Sequence, residues 1–302
     1  LTGLLDRQGV PEAGFVGVLG GFVVNVDWSA LQPVQGGPLQ TAPIDQALAA
    51  ARQLNSRGGH LGVRLRVWGG VQAPAWAKNL GGPPISVYDP YAHVGGTVGR
   101  FWSAAYGQAY QQLQAALAAR YDSVPEIRDV TVTRCSTVYD EPFIRDTGDP
   151  GTVRNLLAAG YTTAADEACQ MQQIDAQAVW HGTRSALALN PYQVINPDGT
   201  VKTDEGFTEK MMGYCRQVLG ARCVLENDSL RQPALSGGYS SMYSAMASLA
   251  PGICFQTAVM SKVGSLLGTI GTAISLGAAS VELPYGYQAL GPTAFAPFST
   301  RF

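Results

Sequence analysis

Charge is what this sequence has least of. Asp, Glu, Lys and Arg make up 14% of its 302 residues, against about a quarter in an average soluble chain. Lysine is scarcest, with Lys78, Lys202, Lys210 and Lys262 the whole set. The formal net charge is −2, with no basic stripe and no run of like charges. Nucleic acid, which is held by clustered Lys and Arg, is therefore not an expected partner. No apolar run reaches the roughly 20 residues of a membrane span. The longest apolar-rich piece, VGSLLGTIGTAISLGAAS, is broken by Gly, Ser and Thr and reads as a buried helix.

Several motifs are missing as well. No G-x-G-x-x-G follows a strand-like run, and no G-x-x-x-x-G-K-[ST] occurs, so nucleotide cofactors lose their usual cradle. There is no G-x-S-x-G elbow and no Cys with a His partner, which removes serine and thiol acyl transfer. The three histidines, His60, His93 and His181, stand apart. None has a ligand-type neighbour at metal spacing, and no two cysteines have C-x-x-C spacing. No metal and no cofactor are expected. Internal repeats and low-complexity linkers are absent too.

What is present is apolar residues, at 46%, enough for a large ordered core. We expect one domain over residues 1–302. Strand-like runs occur at 21–28, 61–70, 127–135, 184–192, 222–228, 252–259 and 279–286, with GFVGVLG (14–20) a possible eighth. Helical patterns fall between them. The one at 99–121 carries Phe101, Tyr106, Tyr110, Leu113 and Leu117 on one face. The one at 204–220 opens on Asp204 as N-cap and closes on Gly220. Alternating strands and helices predict a parallel sheet. Seven or eight such units in this length predict an α/β fold, a (β/α)8 TIM barrel, ahead of a doubly wound open sheet.

The five cysteines are Cys135, Cys169, Cys215, Cys223 and Cys254. Cys215 and Cys223 end one helix-like segment and begin the next strand, close enough to bridge. Cys135 and Cys169 form the second candidate pair, and Cys254 reads as a buried free thiol. Five reduced cysteines are the alternative. Scarce Lys, abundant Gly and Ala, and a start without Met favour two disulfides and a secreted, extracellular protein.

In a barrel, the C-terminal strand ends face the active site. Here they supply Asn25, Asp27 and Trp28, then Arg64, Arg66, Trp68 and Trp76. Tyr139, Asp140 and Glu141 follow, then Asn190 and Tyr192, and Glu226, Asn227 and Asp228. Gln256 and Thr257, then Glu282, Tyr285 and Tyr287 complete the set. Carboxylates beside aromatic rings, amides and Arg suit glycosidic bond hydrolysis. One carboxyl donates a proton to the leaving oxygen, and a second attacks the anomeric carbon or activates water. Aromatic faces stack on sugar rings. Any one of these residues has a plainer role as a cap, a solvated charge or core packing; Glu282, for example, could simply pair with Arg66.

VDWSALQPVQGG and IDQALAAARQ, with Trp28, Leu31, Pro33 and Asp45, resemble a segment of the clan A glycoside hydrolases such as the family 42 β-galactosidases. LRVWGGVQAPAW resembles the next unit, with Pro74 and Trp76 in its loop. Asp140-Glu141-Pro142 resembles the clan's Asn-Glu-Pro after the fourth strand. The resemblance covers about the first half of the chain. It implies a (β/α)8 barrel with Glu141 as general acid/base. Two positions depart from the pattern: Asp140 replaces the Asn, and Gln256 stands where the seventh strand should carry a nucleophilic Glu. Glu282 could be that nucleophile if the strand count is off by one, Glu226 could act from the strand before, or the carboxylate could be lost.

The leading expectation is thus a secreted glycoside hydrolase of a poly- or oligosaccharide, with Glu141 as proton donor and Glu226 or Glu282 as partner. Asp27, Arg66, Asp140, Asn190, Asn227, Gln256 and Tyr285 would bind substrate, with Trp28, Trp68 and Trp76 as stacking platforms. A non-catalytic carbohydrate-binding barrel and a barrel lyase or metal-dependent isomerase are the alternatives.

Overall fold

The computed structural model describes residues 1–141 and 145–302, with the side chains of 145 and 146 also left undescribed. Eight parallel strands close into a barrel: β1 (Gly3–Asp6), β2 (Leu19–Asp27), β3 (Gly62–Trp68), β4 (Ile127–Thr131), β5 (Arg184–Ala188), β6 (Cys223–Leu230), β7 (Ile253–Thr257) and β8 (Ser280–Leu283). Each pairs with its neighbour in sequence, and β1 closes the ring on β8 through Gly3–Ser280 to Asp6–Leu283. The TIM-barrel expectation therefore holds. The strand to be added to the seven clear runs is Gly3–Asp6, however, and not residues 14–20. That stretch forms a 3-10 turn at Ala13–Phe15 and then enters β2 at Leu19.

Among the described residues, seven longer helices pack outside: α1 (Ala42–Asn55), α2 (Ala104–Tyr121), α3 (Pro150–Ala158), α4 (Thr163–Asp175), α5 (Glu205–Leu219), α6 (Gly238–Ser248) and α7 (Leu266–Ser275). α2 starts at a true N-cap, where the Ser103 side chain accepts from the Tyr106 N–H. Its buried face carries Tyr106, Tyr110, Leu113 and Leu117. α5 starts on Asp204, whose carboxylate accepts from the Phe207 N–H, and stops at Gly220 with φ +57°. Only Gly adopts that backbone without strain.

The main apolar core lies between barrel and helices, around Phe22, Leu65, Trp28, Tyr106, Leu187 and Phe255. Two antiparallel hairpins rise from strand-to-helix loops. Ile85–Asp89 pairs with Val94–Val98 ahead of α2, and Tyr192–Ile195 pairs with Val201–Asp204 ahead of α5. Two disulfides fasten the frame, Cys135–Cys169 and Cys215–Cys223, and Cys254 is buried and free. Among the described residues, no helix is long and apolar enough to cross a membrane.

Candidate active site

A cavity of about 550 Å³ opens at the C-terminal ends of the strands. That volume suits a ligand of a few sugar rings. Arg7 enters it just after β1 and Asn25 from β2. Arg66 and Trp68 come from β3, and Tyr139, Asp140 and Glu141 from the loop after β4. β6 supplies Asp228 and Ser229, β7 supplies Gln256 and Thr257, and Tyr285 follows β8. The first hairpin covers one side with Asp89 and Tyr91, and the Asp89 carboxylate holds that turn by accepting from the Tyr91 and Ala92 N–H groups. Counted from Gly3–Asp6, Glu141 follows the fourth strand, Gln256 lies on the seventh and Glu282 on the eighth. The strand count is therefore not off by one. Pro142, part of the motif around Glu141, lies outside the described residues.

Of the sequence-selected residues, Arg66, Trp68, Asp140, Glu141, Gln256 and Tyr285 meet in this cavity. Asn25, Tyr139, Asp228 and Thr257, also picked out at strand ends, line it too, whereas Asp27, Trp28, Trp76, Asn190, Asn227, Glu226 and Glu282 do not. Trp28 is fully buried in edge-to-face contact with Trp76, 5.6 Å between centroids, and with Tyr106 and Tyr110. Both indoles are tied to Gln32, Trp28 through the side chain and Trp76 through the backbone carbonyl. Asp27 is exposed at the end of β2. Asn227 points to the helix side of β6, where its oxygen accepts from the Tyr243 hydroxyl at 3.0 Å and its amide donates to Asn190.

Glu226 and Glu282 lie beneath the cavity, both fully buried. Strand alternation puts Arg64 and Arg66 of β3 on the same inward face. Arg64 Nη1 donates to Glu226 and to Glu282, the latter at 2.7 Å. Arg66 holds Glu282 through both terminal nitrogens, at 2.9 and 3.2 Å. Its Nε lies 2.7 Å from Asp140 Oδ2. The barrel centre, usually filled by branched apolar residues, is here a buried ion network that reaches up to the cavity floor.

The environments separate these carboxyls. Burial would raise Glu282, but Arg66 and Arg64 outweigh it and hold the group below its ordinary range. Glu226, hydrogen-bonded among the described residues by Arg64 alone, is pushed up to about 7 by burial. Asp228 is pushed well above its ordinary value by burial, then by the charges of Asp140, Glu226 and Glu141. It is 8% exposed, and neither carboxyl oxygen has a hydrogen-bond partner among the described residues. Asp140, Glu141 and Asp228 bring one oxygen each to within 4.8 Å of the others. Three carboxylates this close could hold a divalent cation as well as a proton.

Sequence reasoning placed Asp228 at a strand end without giving it a role. The signal was the period of two: Glu226 and Asp228 share a face, and the later one lies nearer the mouth. Arg7, Arg231 and Lys262 also line the cavity, and no motif marks them.

No family model and no curated protein matches the chain. Solved structures do. The catalytic domain of β-amylase from Paenibacillus polymyxa superposes with a TM-score of 0.63 at 10% identity, covering 98% of this chain and 96% of that one. What the two share is the closed eight-stranded parallel barrel. Endo-glycoceramidase II from Rhodococcus sp. matches with a TM-score of 0.55 at 15% identity, over 93% of this chain and 73% of that one. The β-galactosidase from the psychrophilic Marinomonas ef1 gives 0.52 at 14% identity, and this chain spans 53% of its length. Identities this low speak for a shared barrel; the chemistry has to be argued from the site.

Proposed function

We propose that the chain is a secreted glycoside hydrolase acting on a poly- or oligosaccharide, with Glu141 as general acid/base and Asp228 as the carboxylate opposite it. The observation that carries this reading is the approach of Glu141 from the β4 end and Asp228 from the β6 end, to within 4.8 Å, inside the cavity. Trp68 and Tyr285 offer ring faces in the same cavity. Glu226 and Glu282, expected earlier as partners, act in this reading as positioning groups: Glu282 orients Arg66, and Arg66 orients Asp140.

The close spacing favours double displacement with retention. Inversion needs room for a water, at roughly 6.5–9.5 Å. In the free chain burial and the neighbouring carboxylates favour the protonated form of Asp228. Passed to Glu141, that proton is the one the glycosidic oxygen receives, and it leaves Asp228 ionised to attack the anomeric carbon. The pair must therefore hold one proton, not two and not none. The rate should be bell-shaped in pH, falling on the alkaline side as the raised carboxyl is lost. The two disulfides support an oxidising, extracellular setting.

Reducing-sugar release from a panel of polysaccharides and aryl glycosides tests this for the wild type, Glu141→Gln and Asp228→Asn. Each variant should lose about 10²–10⁴ in kcat/KM, and EDTA should leave the wild type unchanged. Full activity in both variants would refute the assignment. Activity lost to EDTA and restored by a divalent ion would instead make the three carboxylates a metal centre. A second reading, a carbohydrate-binding barrel without turnover, is favoured by Gln256, an amide on the seventh strand. Ligand binding by a wild type that cleaves nothing would establish it.

A further inference from the structure

Arg7 is not used by the chemistry above, yet its surroundings are unusual. It follows β1 directly, is 7% exposed, and lines the cavity. Its Nη1 donates to the Thr257 carbonyl at 3.2 Å and, with the Gln256 amide oriented to satisfy both of its neighbours, to the Gln256 oxygen at 3.2 Å. Its Nε and Nη2 have no hydrogen-bond partner among the described residues, and no described carboxylate comes within ion-pair distance. The guanidinium carbon lies 5.3 Å from the centroid of the Tyr285 ring. Arg7 is thus held from one side, while the other side of its fork, two parallel N–H donors, is buried with nothing to bond.

Leaving a buried cation unpaired is costly. The unused pair of donors is the edge of an arginine that binds a planar carboxylate through two parallel hydrogen bonds. A neutral sugar hydroxyl fills one donor and leaves the charge uncompensated. Three further cations line the same cavity: Arg66, which is already bonded to Glu282, Arg231 after β6 and Lys262 after β7. In a chain with so few Lys and Arg, four line one cavity, and of these Arg66 is already engaged by Glu282 and Asp140 while Arg7 is not paired with any described carboxylate. From this geometry, and resting on the glycosidase reading, we infer that the cavity contains a carboxylate subsite centred on Arg7. Its glycan carries uronic acid residues, the carboxylate seated on the Nε and Nη2 edge of Arg7 and the sugar's reactive bond directed to Glu141 and Asp228.

The test is equilibrium binding by calorimetry, with Glu141→Gln used so that turnover does not consume the ligand. Galacturonate and glucuronate oligosaccharides are compared with their methyl esters, with neutral chains of the same linkage, and with sulfated neutral chains. The free acid of at least one series should bind at least tenfold more tightly than its methyl ester. Arg7→Lys, which keeps the charge and loses the fork, should abolish most of that difference while binding of the neutral chain is unchanged. Should the Arg7 variant not fold, the acid-to-ester comparison in the unaltered site stands without it. Equal affinity for acid and ester would overturn the inference, as would tighter binding of the neutral or the sulfated chain. Preference for uronates without any hydrolysis would keep the subsite and sink the hydrolase. Hydrolysis of neutral glycans without a preference would do the reverse.

Discussion

Gln256 shows how much one atom decides. At this point on the seventh strand the resemblance calls for Glu, and the sequence offers an amide. The structure gives the amide a task. Its nitrogen donates to Glu282 Oε2 at 2.9 Å, and its oxygen accepts from Arg7 at 3.2 Å. A carboxylate there would keep the second contact and turn the first into a repulsion inside a buried network. We therefore expect Gln256→Glu to lower Tm and to add no activity. The deficit should widen between pH 5 and pH 8, as the new carboxyl ionises against Glu282. A thermal melt series in pH checks this, and a variant more stable or more active than the wild type would contradict it. The residue scale was also where the letters were least legible. Alternation assigns Glu226 and Asp228 to one face, but depth along the strand separates a submerged ion-pair partner from a cavity carboxyl, and depth is set by the stagger of the closed barrel. Trp28 and Trp76 likewise sit at the right place in the chain, but their indoles turn into the packing between strands and helices.

At the level of elements, the segments bearing the two proposed catalytic carboxyls are each tied down covalently. Cys135–Cys169 joins the loop that leads to Glu141 to α4, and Cys215–Cys223 joins α5 to the start of β6, which ends near Asp228. Their sequence separations are 34 and 8 residues. Chain-entropy arguments assign roughly 4 kcal/mol to the first and roughly 2.5 kcal/mol to the second. Replacing Cys135 and Cys169 by Ser should thus cost more stability in a denaturant titration than replacing Cys215 and Cys223. It should also lower kcat more, because the freed loop carries Glu141. The reverse order would mean that packing, not the bridge, places that loop. Most strands and the capped helices were readable, since their apolar spacing and end residues are local features. β1 was not, because four residues, GLLD, are too short to show a period. The hairpin bearing Asp89 and Tyr91 reads from the letters only as a long loop, because Pro83 and Pro84 stand just before its first strand and Gly95 and Gly96 lie within its second, and both pairs look like breakers.

For the molecule as a whole, buried acids set the response to pH. Burial raises Asp129 and Asp166 to about 6 and Glu226 to about 7. Each folded value lies above the unfolded one, so the native state binds more protons in between. Stability should therefore be fullest near pH 4 from these groups and fall as pH rises through 6 and 7. Asp166 is the cleanest probe. Tyr161 and Tyr192 both donate to its Oδ2, at 3.1 and 2.8 Å, and none of the three lines the cavity. In melts from pH 4 to pH 8, Asp166→Asn should show a shallower decline than the wild type. An identical slope would mean that Asp166 ionises freely in the folded chain.

The ion network at the barrel centre has a consequence for descent. Arg64, Arg66, Glu226 and Glu282 lean on one another in the dry interior. Removing one leaves another charge stranded, at about 3–5 kcal/mol. Exchanging all four for apolar residues of like volume is far less costly. Drift one position at a time is closed to such a set. Among descendants of this barrel the four should persist together or vanish together, and a lineage that lost only one should carry the mark of a second change beside it.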